Sequence, residues 1–310
     1  MRNLSYVLLL FLIIGCDSES PSVSYEEQVS TALNQNPEVN PLESTSLFYQ
    51  DLSYGSAERN TFDLMVPKDG DAIGIVIFFH GGSFLFNDKT DAYQEPFAGI
   101  INNLLNENVA VVNANYSFLN SPNSMGLTTS LSDGTLLLNH IRSIASSLDL
   151  NANKIVLSGA SSGAGISLWN GLQADYNQGV VGIVALATQS SYNLYAWENL
   201  FPNLSVDQIT QNSQEFQLLF NLFYGGPSPT QAQLDAVDFI EFMDPADPEL
   251  YLYNTAGNEV VRSDGSIDLD VLYHSIRHSD ALRAKAIQEG FTTSGAFQET
   301  PEAFVLRKLR

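Results

Sequence analysis

Ile155-Val156-Leu157-Ser158-Gly159-Ala160-Ser161-Ser162-Gly163-Ala164-Gly165-Ile166 is the stretch from which the rest of the chain is read. An apolar run ends in Gly-x-Ser-x-Gly and passes directly into a segment of small residues. That order predicts a strand, a turn of strained backbone and a helix, the arrangement called a nucleophile elbow. Glycine is required at 159 and 163 because strand and helix approach too closely there for a Cβ. The strain lifts the hydroxyl of Ser161 above the sheet edge. The amide of Ser162, at the helix start, is then free to donate to an anion. A glycine-rich turn without chemistry shares the local pattern, so the flanking sequence has to decide.

Upstream, Ile73–Phe79 is a continuous apolar run, as expected of a strand covered on both faces. It ends in His80-Gly81-Gly82-Ser83-Phe84. A tetrahedral intermediate carries an oxyanion that needs fixed backbone N–H donors, and paired glycines let a backbone approach without a side chain in the way. Leu47–Tyr54 and Thr61–Val66 alternate like half-buried antiparallel strands. Tyr93–Leu105 is helix-like and Val109–Tyr116 reads as a strand. A helix capped at Ser132-Asp133 carries the stripe Leu137, Ile141, Ile144 and Leu148. Val180–Ala187 and Leu250–Tyr253 are further strands, Asp280–Glu289 a helix capped at Ser279, and Glu302–Leu309 a closing strand or short helix. The alternation predicts an α/β fold: a mostly parallel central sheet with helices on both faces. Residues 197–242 break the rhythm with aromatic-rich amphipathic helices and read as a cap inserted between two core strands.

The formal net charge is −22, which argues against nucleic acid as a partner because phosphates would be repelled. At the N-terminus, Arg2 and the apolar run Tyr6–Ile14 read as a signal segment over 1–15, too short to span a bilayer. It ends in Ile13-Ile14-Gly15-Cys16, which resembles the lipobox of bacterial lipoproteins, and Cys16 is the sole cysteine. The expectation is a lipid anchor at Cys16 and a place in the bacterial cell envelope, leaflet unspecified. Residues 16–46, rich in Ser, Glu, Asn and Pro, read as a flexible tether, with a short helix possible around Tyr25–Leu33, and 47–310 as the folded domain.

The two motifs, in this order and spacing, resemble the α/β-hydrolase superfamily. Within it they are similar to the carboxylesterases with a His-Gly-Gly-Gly-type oxyanion loop, which include hormone-sensitive-lipase-like and feruloyl/acetyl-xylan-esterase-like enzymes. Asn60–Pro67, Asp133-Gly134 and Asn153-Lys154-Ile155 also match that pattern. The resemblance implies Ser161 as nucleophile and the amides of Gly81, Gly82 and Ser162 as an oxyanion hole. It implies a structural role for His80, a small-molecule ester as substrate and no cofactor. Ser83 stands where the third glycine is usual.

The chain departs from the family in the partners of the serine. Of four histidines, His80, His140, His274 and His278, only the last two follow Ser161, and none follows the expected last strand. The family's acid position falls on Asn258, next to Glu259, and Asp264 is a further carboxylate nearby. A loop leaving the carboxyl edge of a parallel strand stays on the ligand-binding side, which places residues 255–279 on the same side as Ser161. His278, just ahead of the expected helix cap, is the favoured base, with His274 in the freer loop as the alternative. Glu259 or Asp264 would orient the ring. His274-x-x-x-His278 as a metal pair lacks both the adjacent Glu of the zinc-hydrolase helix and a third ligand. Two readings follow: an envelope-anchored serine esterase working through an acyl-enzyme, or a catalytically impaired protein of the same fold that binds a ligand.

Overall fold

The computed structural model describes residues 23–310; the signal segment and Cys16 lie outside the described residues. Eight strands, β1 (Leu47–Ser53), β2 (Thr61–Val66), β3 (Gly74–Phe79), β4 (Val109–Ala114), β5 (Ile155–Ala160), β6 (Val180–Leu186), β7 (Glu249–Tyr253) and β8 (Thr293–Ser294), form one sheet. Their order is β1-β2-β4-β3-β5-β6-β7-β8. β2 pairs antiparallel with β1 and β4, and every later pairing is parallel. β5 therefore sits in the middle of the sheet, where its carboxyl end is flanked by the exits of β3 and β6.

The described helices are α1 (Tyr25–Leu33), α2 (Phe97–Asn106), α3 (Leu127–Ala145), α4 (Ser162–Gly171), α5 (Val206–Asn212), α6 (Gln214–Tyr224), α7 (Gln231–Asp235), α8 (Leu269–His274), α9 (Ile276–Glu289) and α10 (Pro301–Leu309). Successive strand residues point to opposite faces. Ile75, Ile77 and Phe79 of β3, with Ile155 and Leu157 of β5, meet Leu137 and Ile141 of α3, Ile166 of α4 and Leu282 of α9 in one core. Val76, Phe78 and Val156 meet Ile101 and Leu104 of α2 and Phe304 and Val305 of α10 in the other. Burial on both sides is why these strands read as unbroken apolar runs.

Three boundaries differ from the sequence expectation. The segment read as a tether to residue 46 holds the short helix expected at Tyr25–Leu33, but it is folded and packed from Ser24 onward. Ser24 caps α1, Val29 is buried, the Tyr25 hydroxyl donates to Leu148 O at 2.8 Å, and Glu38 pairs with Phe48. Two well-spaced anchors on one helix face outweigh a polar average composition. α3 starts at Leu127, behind Gly126 with φ 84°, so Asp133 lies within it and its carboxylate accepts from Ser117 N–H at 2.7 Å. α9 starts at Ile276 with Ser275 as its cap, which places His278 inside the first turn. Of the two alternatives for the last segment, closing strand or short helix, the structure holds the helix, α10.

Between β6 and β7 the chain forms a short 3₁₀ turn (Leu194–Asn199), α5, α6, α7 and a second 3₁₀ turn (Phe239–Phe242). α6 buries Phe216, Phe220, Phe223 and Tyr224.

Candidate active site

At the end of β5, Ser161 takes φ 51° and ψ −117°, a conformation that non-glycine residues rarely hold. The turn has no room to relax: a Cβ on Gly163 would lie 2.0 Å from Phe79 O and 2.6 Å from His80 O. The Ser161 amide donates to Leu186 O at 2.8 Å, which ties the turn to the exit of β6. Ser162 is the first residue of α4, so its N–H has no acceptor within the helix.

The loop after β3 lies over this turn. A Cβ on Gly81 would be 3.5 Å from Ser161 Cβ. Gly82 has φ 121°, and a Cβ there would meet Phe86 O at 2.2 Å, so that position is closed to any side chain. Its carbonyl accepts from the amides of Leu85 and Phe86 at 2.9 Å. His80 stacks on Tyr116, its Nδ1–H donates to Gly81 O at 2.6 Å, and its Nε2 accepts from the Arg59 guanidinium at 3.2 Å. Burial holds the His80 ring below its usual pKa, consistent with the neutral tautomer this pattern requires. Because the peptide is trans and planar, fixing the Gly81 carbonyl also fixes the Gly82 N–H on the opposite side. Arg59 further donates to Tyr116 O (3.0 Å), Asn115 Oδ1 (3.0 Å) and Asn87 O (3.2 Å), and lies 3.8 Å from the centre of the Phe118 ring. Tyr116 O–H donates to His80 O at 2.9 Å and accepts from the Ser162 hydroxyl at 3.0 Å. Neither Arg59 nor Tyr116 carries a motif that would have marked it in the sequence.

Facing Ser161 is His274, the last residue of α8. Ser161 Oγ and His274 Nε2 are 3.0 Å apart, and His274 Nδ1 is 2.9 Å from Asp270 Oδ1. A carboxylate only accepts, so Nδ1 carries the proton and Nε2 is left as the acceptor for the serine hydroxyl. Asp270 and His274 are one helical turn apart, which stacks their side chains on one face of α8. The helix is started by Asp268, whose carboxylate accepts from Val271 N–H at 3.2 Å.

The other predicted partners lie elsewhere. His278, the favoured base, is fully buried between Trp197 and Phe201. Its Nε2–H donates to Leu272 O at 2.8 Å and its Nδ1 accepts from the amide and hydroxyl of Ser190 at 3.2 and 3.0 Å. Both ring nitrogens are therefore occupied within the fold. Burial pushes its pKa down to about 4. Glu259 is exposed and borders a separate surface cleft with Phe201 and Arg277. Asp264 is exposed and accepts from the amide and hydroxyl of Ser266, closing its own turn. Asn258 accepts from the Ser275 hydroxyl at 3.0 Å. The carboxylate next to the imidazole is Asp270, which the sequence reading did not name. Its signals were the four-residue spacing to His274 and the capping Asp268. Among the described residues no group of three His, Cys, Asp or Glu side chains is placed to hold a metal ion.

Ser161 opens onto a small cleft of about 20 Å³, walled by Phe84, Tyr192, Trp197, Leu219, Phe223 and Tyr273. Leu219 and Phe223 come from the insertion between β6 and β7. Residues 62–272 match the family model BD-FAE, well over half of the chain. The chain belongs to the BD-FAE family of α/β-hydrolase-like esterases. That span holds the His80–Phe84 loop, the Ser161 turn and Asp270. No curated protein matches the chain in sequence.

Solved structures share the fold at low identity. A truncated carbohydrate esterase from gut microbiota is 16% identical with TM-score 0.63, over 87% of this chain and 99% of its own. Esterase B from Lactobacillus rhamnosis is 14% identical with TM-score 0.58, over 82% and 75%. Esterase 2 from Thermogutta terrifontis, phosphonylated by sarin, is 12% identical with TM-score 0.57, over 87% and 93%.

Proposed function

We propose that this family member is a serine carboxylic-ester hydrolase with Ser161 as nucleophile, His274 as general base and Asp270 as the acid that orients it. The observation that carries the reading is the continuous hydrogen-bonded chain from Ser161 Oγ through the His274 ring to Asp270 Oδ1, at 3.0 and 2.9 Å. A serine hydroxyl is a weak nucleophile until a base within hydrogen-bond reach takes its proton. Ser161 Oγ attacks the ester carbonyl carbon as its proton passes to His274 Nε2. The carbonyl electrons move to oxygen, and the anion is met by the amides of Gly81, Gly82 and Ser162. His274 returns the proton to the leaving alkoxide and the acyl group stays on Ser161. Water then attacks the acyl carbon, giving its proton to the same nitrogen, and the acid is released with the serine restored. No external cofactor enters this cycle.

The small cleft beside Ser161, walled mostly by Phe84, Tyr192, Trp197, Leu219, Phe223 and Tyr273, supports a short acyl group over a long one. A ligand-binding protein without a base, the other reading of the sequence, is less well supported, because an imidazole stands 3.0 Å from Ser161 Oγ. Anchoring in the cell envelope through Cys16 belongs to the same proposal and rests on the sequence pattern alone. Ser161→Ala assayed on p-nitrophenyl acetate is the direct test. The expected result is loss of at least a thousandfold in kcat, together with loss of the fluorophosphonate adduct on residue 161. Turnover within tenfold of the parent would refute the nucleophile assignment.

A further inference from the structure

The six-residue helix α8 carries both proposed partners of Ser161, and a helix that short does not hold itself together. Its last carbonyls have no intrahelical donors. Three buried side chains from three other parts of the chain supply them. His278 Nε2–H donates to Leu272 O at 2.8 Å, Gln189 Nε2–H to Tyr273 O at 2.8 Å, and Asn254 Nδ2–H to His274 O at 3.0 Å. Asn254 also donates to Ser275 O at 3.1 Å. We infer that Asn254, Gln189 and His278 form a clamp on the end of α8 that positions the His274 imidazole over Ser161. The inference rests on the proposed role of His274 as base.

The clamp has a single frame. Asn254 Oδ1 accepts from Thr188 N–H at 3.0 Å and its amide donates to Thr188 O at 2.8 Å. Gln189 belongs to the same segment, and its Oε1 accepts from the Tyr192 hydroxyl at 3.2 Å. Ser190, the next residue, holds His278 Nδ1. Residues 188–190 thus fix all three donors. Two residues upstream, Leu186 O receives the Ser161 amide at 2.8 Å. The exit of β6 is therefore the common reference for nucleophile and base, and the 3.0 Å gap between them is set by its backbone. Helix stability alone would be served by any donor; what this arrangement adds is a fixed position relative to the elbow. Misplacement of a reacting group by about 1 Å costs on the order of a hundredfold in rate.

The test uses the full chain. Asn254→Asp keeps the shape and the Thr188 N–H contact but turns an oxygen toward the His274 and Ser275 carbonyls. His278→Phe fills the same volume with no donor, while His278→Gln keeps an N–H near the Leu272 carbonyl. Each is compared by melting temperature, by kcat and KM on p-nitrophenyl acetate, and by the second-order rate of fluorophosphonate labelling at Ser161. Phe304→Leu, in the core on the far face of the sheet, serves as a control for lost stability. Asn254→Asp and His278→Phe are expected to lower kcat and labelling rate ten- to a hundredfold with KM within about twofold. His278→Gln is expected to recover most of that loss, and Phe304→Leu to lower the melting temperature with kcat unchanged. A fall in melting temperature with kcat within twofold in Asn254→Asp overturns the clamp. If that variant does not fold, equal kcat in His278→Phe and His278→Gln overturns it. If the parent chain neither turns over the ester nor labels, the assignment of Ser161 fails and the clamp with it; parent activity with unaffected variants refutes the clamp alone.

Discussion

Asp270→Asn is the substitution whose outcome the geometry constrains most. The Asp270 side chain is 82% exposed, whereas the ring it contacts is 25% exposed. In the reaction proposed here His274 becomes an imidazolium as Ser161 attacks, and Asp270 stabilises that charge at 2.9 Å. In water-like surroundings two unit charges at that distance attract by about 1.4 kcal/mol, which is about tenfold in rate. An exposed amide is also free to turn its oxygen toward Nδ1–H, so the tautomer needed at Nε2 is kept. The expected loss is therefore about ten- to thirtyfold in kcat, far below the roughly ten-thousandfold reported for a buried acid whose replacement traps the wrong tautomer. Salt supplies an independent reading. Raising ionic strength from 0.1 to 1 M shortens the screening length from about 10 to about 3 Å, which halves the attraction and slows the parent enzyme about two- to threefold. Asp270→Asn has no charge to screen, so its kcat on p-nitrophenyl acetate should be flatter with salt. A loss above a thousandfold, or an identical salt dependence in parent and variant, would refute the reasoning.

Two further outcomes follow from His278 and Leu219. His278 is buried and neutral, with its pKa lowered from 6.5 to about 4, so between those values the unfolded chain binds more protons than the folded one. Stability should rise with pH in that window, and acidification through it should cost roughly 3 kcal/mol, readable as a lower urea midpoint that His278→Gln makes less pH-dependent. Leu219 walls the small cleft beside Ser161, and Leu219→Ala should raise the kcat/KM ratio of butyrate to acetate p-nitrophenyl esters by at least tenfold; an unchanged ratio would mean that the acyl group lies elsewhere.

The sheet, the strained turn at Ser161 and the close-packed glycines of the His80–Phe84 loop were legible because each is a local pattern with one physical cause. Runs such as Ile73–Phe79 and Ile155–Leu157 are apolar throughout because both faces are covered, and the paired glycines mark close backbone contacts. The partners of Ser161 were less legible. Asp270 and His274 lie on a helix of six residues, too short to show an apolar period, so the stretch read as loop. Ser279-Asp280 has the look of a helix cap, but Ser275 takes that place, and His278 moves from a loop position into the buried first turn of α9. Glu259 sits beside the family's acid position in sequence and ends on the surface of another cleft. Arg59 and Tyr116 brace the His80–Phe84 loop from β-strand connections far away along the chain, which no spacing rule reaches.

The placement of Asp270 and His274 on one turn changes what folding has to achieve. When acid and base come from separate loops, three chain segments must converge, and each closure costs configurational entropy that grows with the span enclosed. Here the proposed acid and base share five residues of one helix, so their mutual orientation is local once the donors from Gln189, Asn254 and His278 hold that helix. Only one long-range distance is left to be closed, from that turn to the elbow. In the proposed reaction the nucleophile, base and acid thus reduce to two bodies, with the loop after β3 as the third, and β8 and α10 supply none of these groups. α10 holds the far core through Phe304 and Val305 and pairs Arg307 with Glu249 and Glu299, so substitutions there should move the melting temperature before they move turnover.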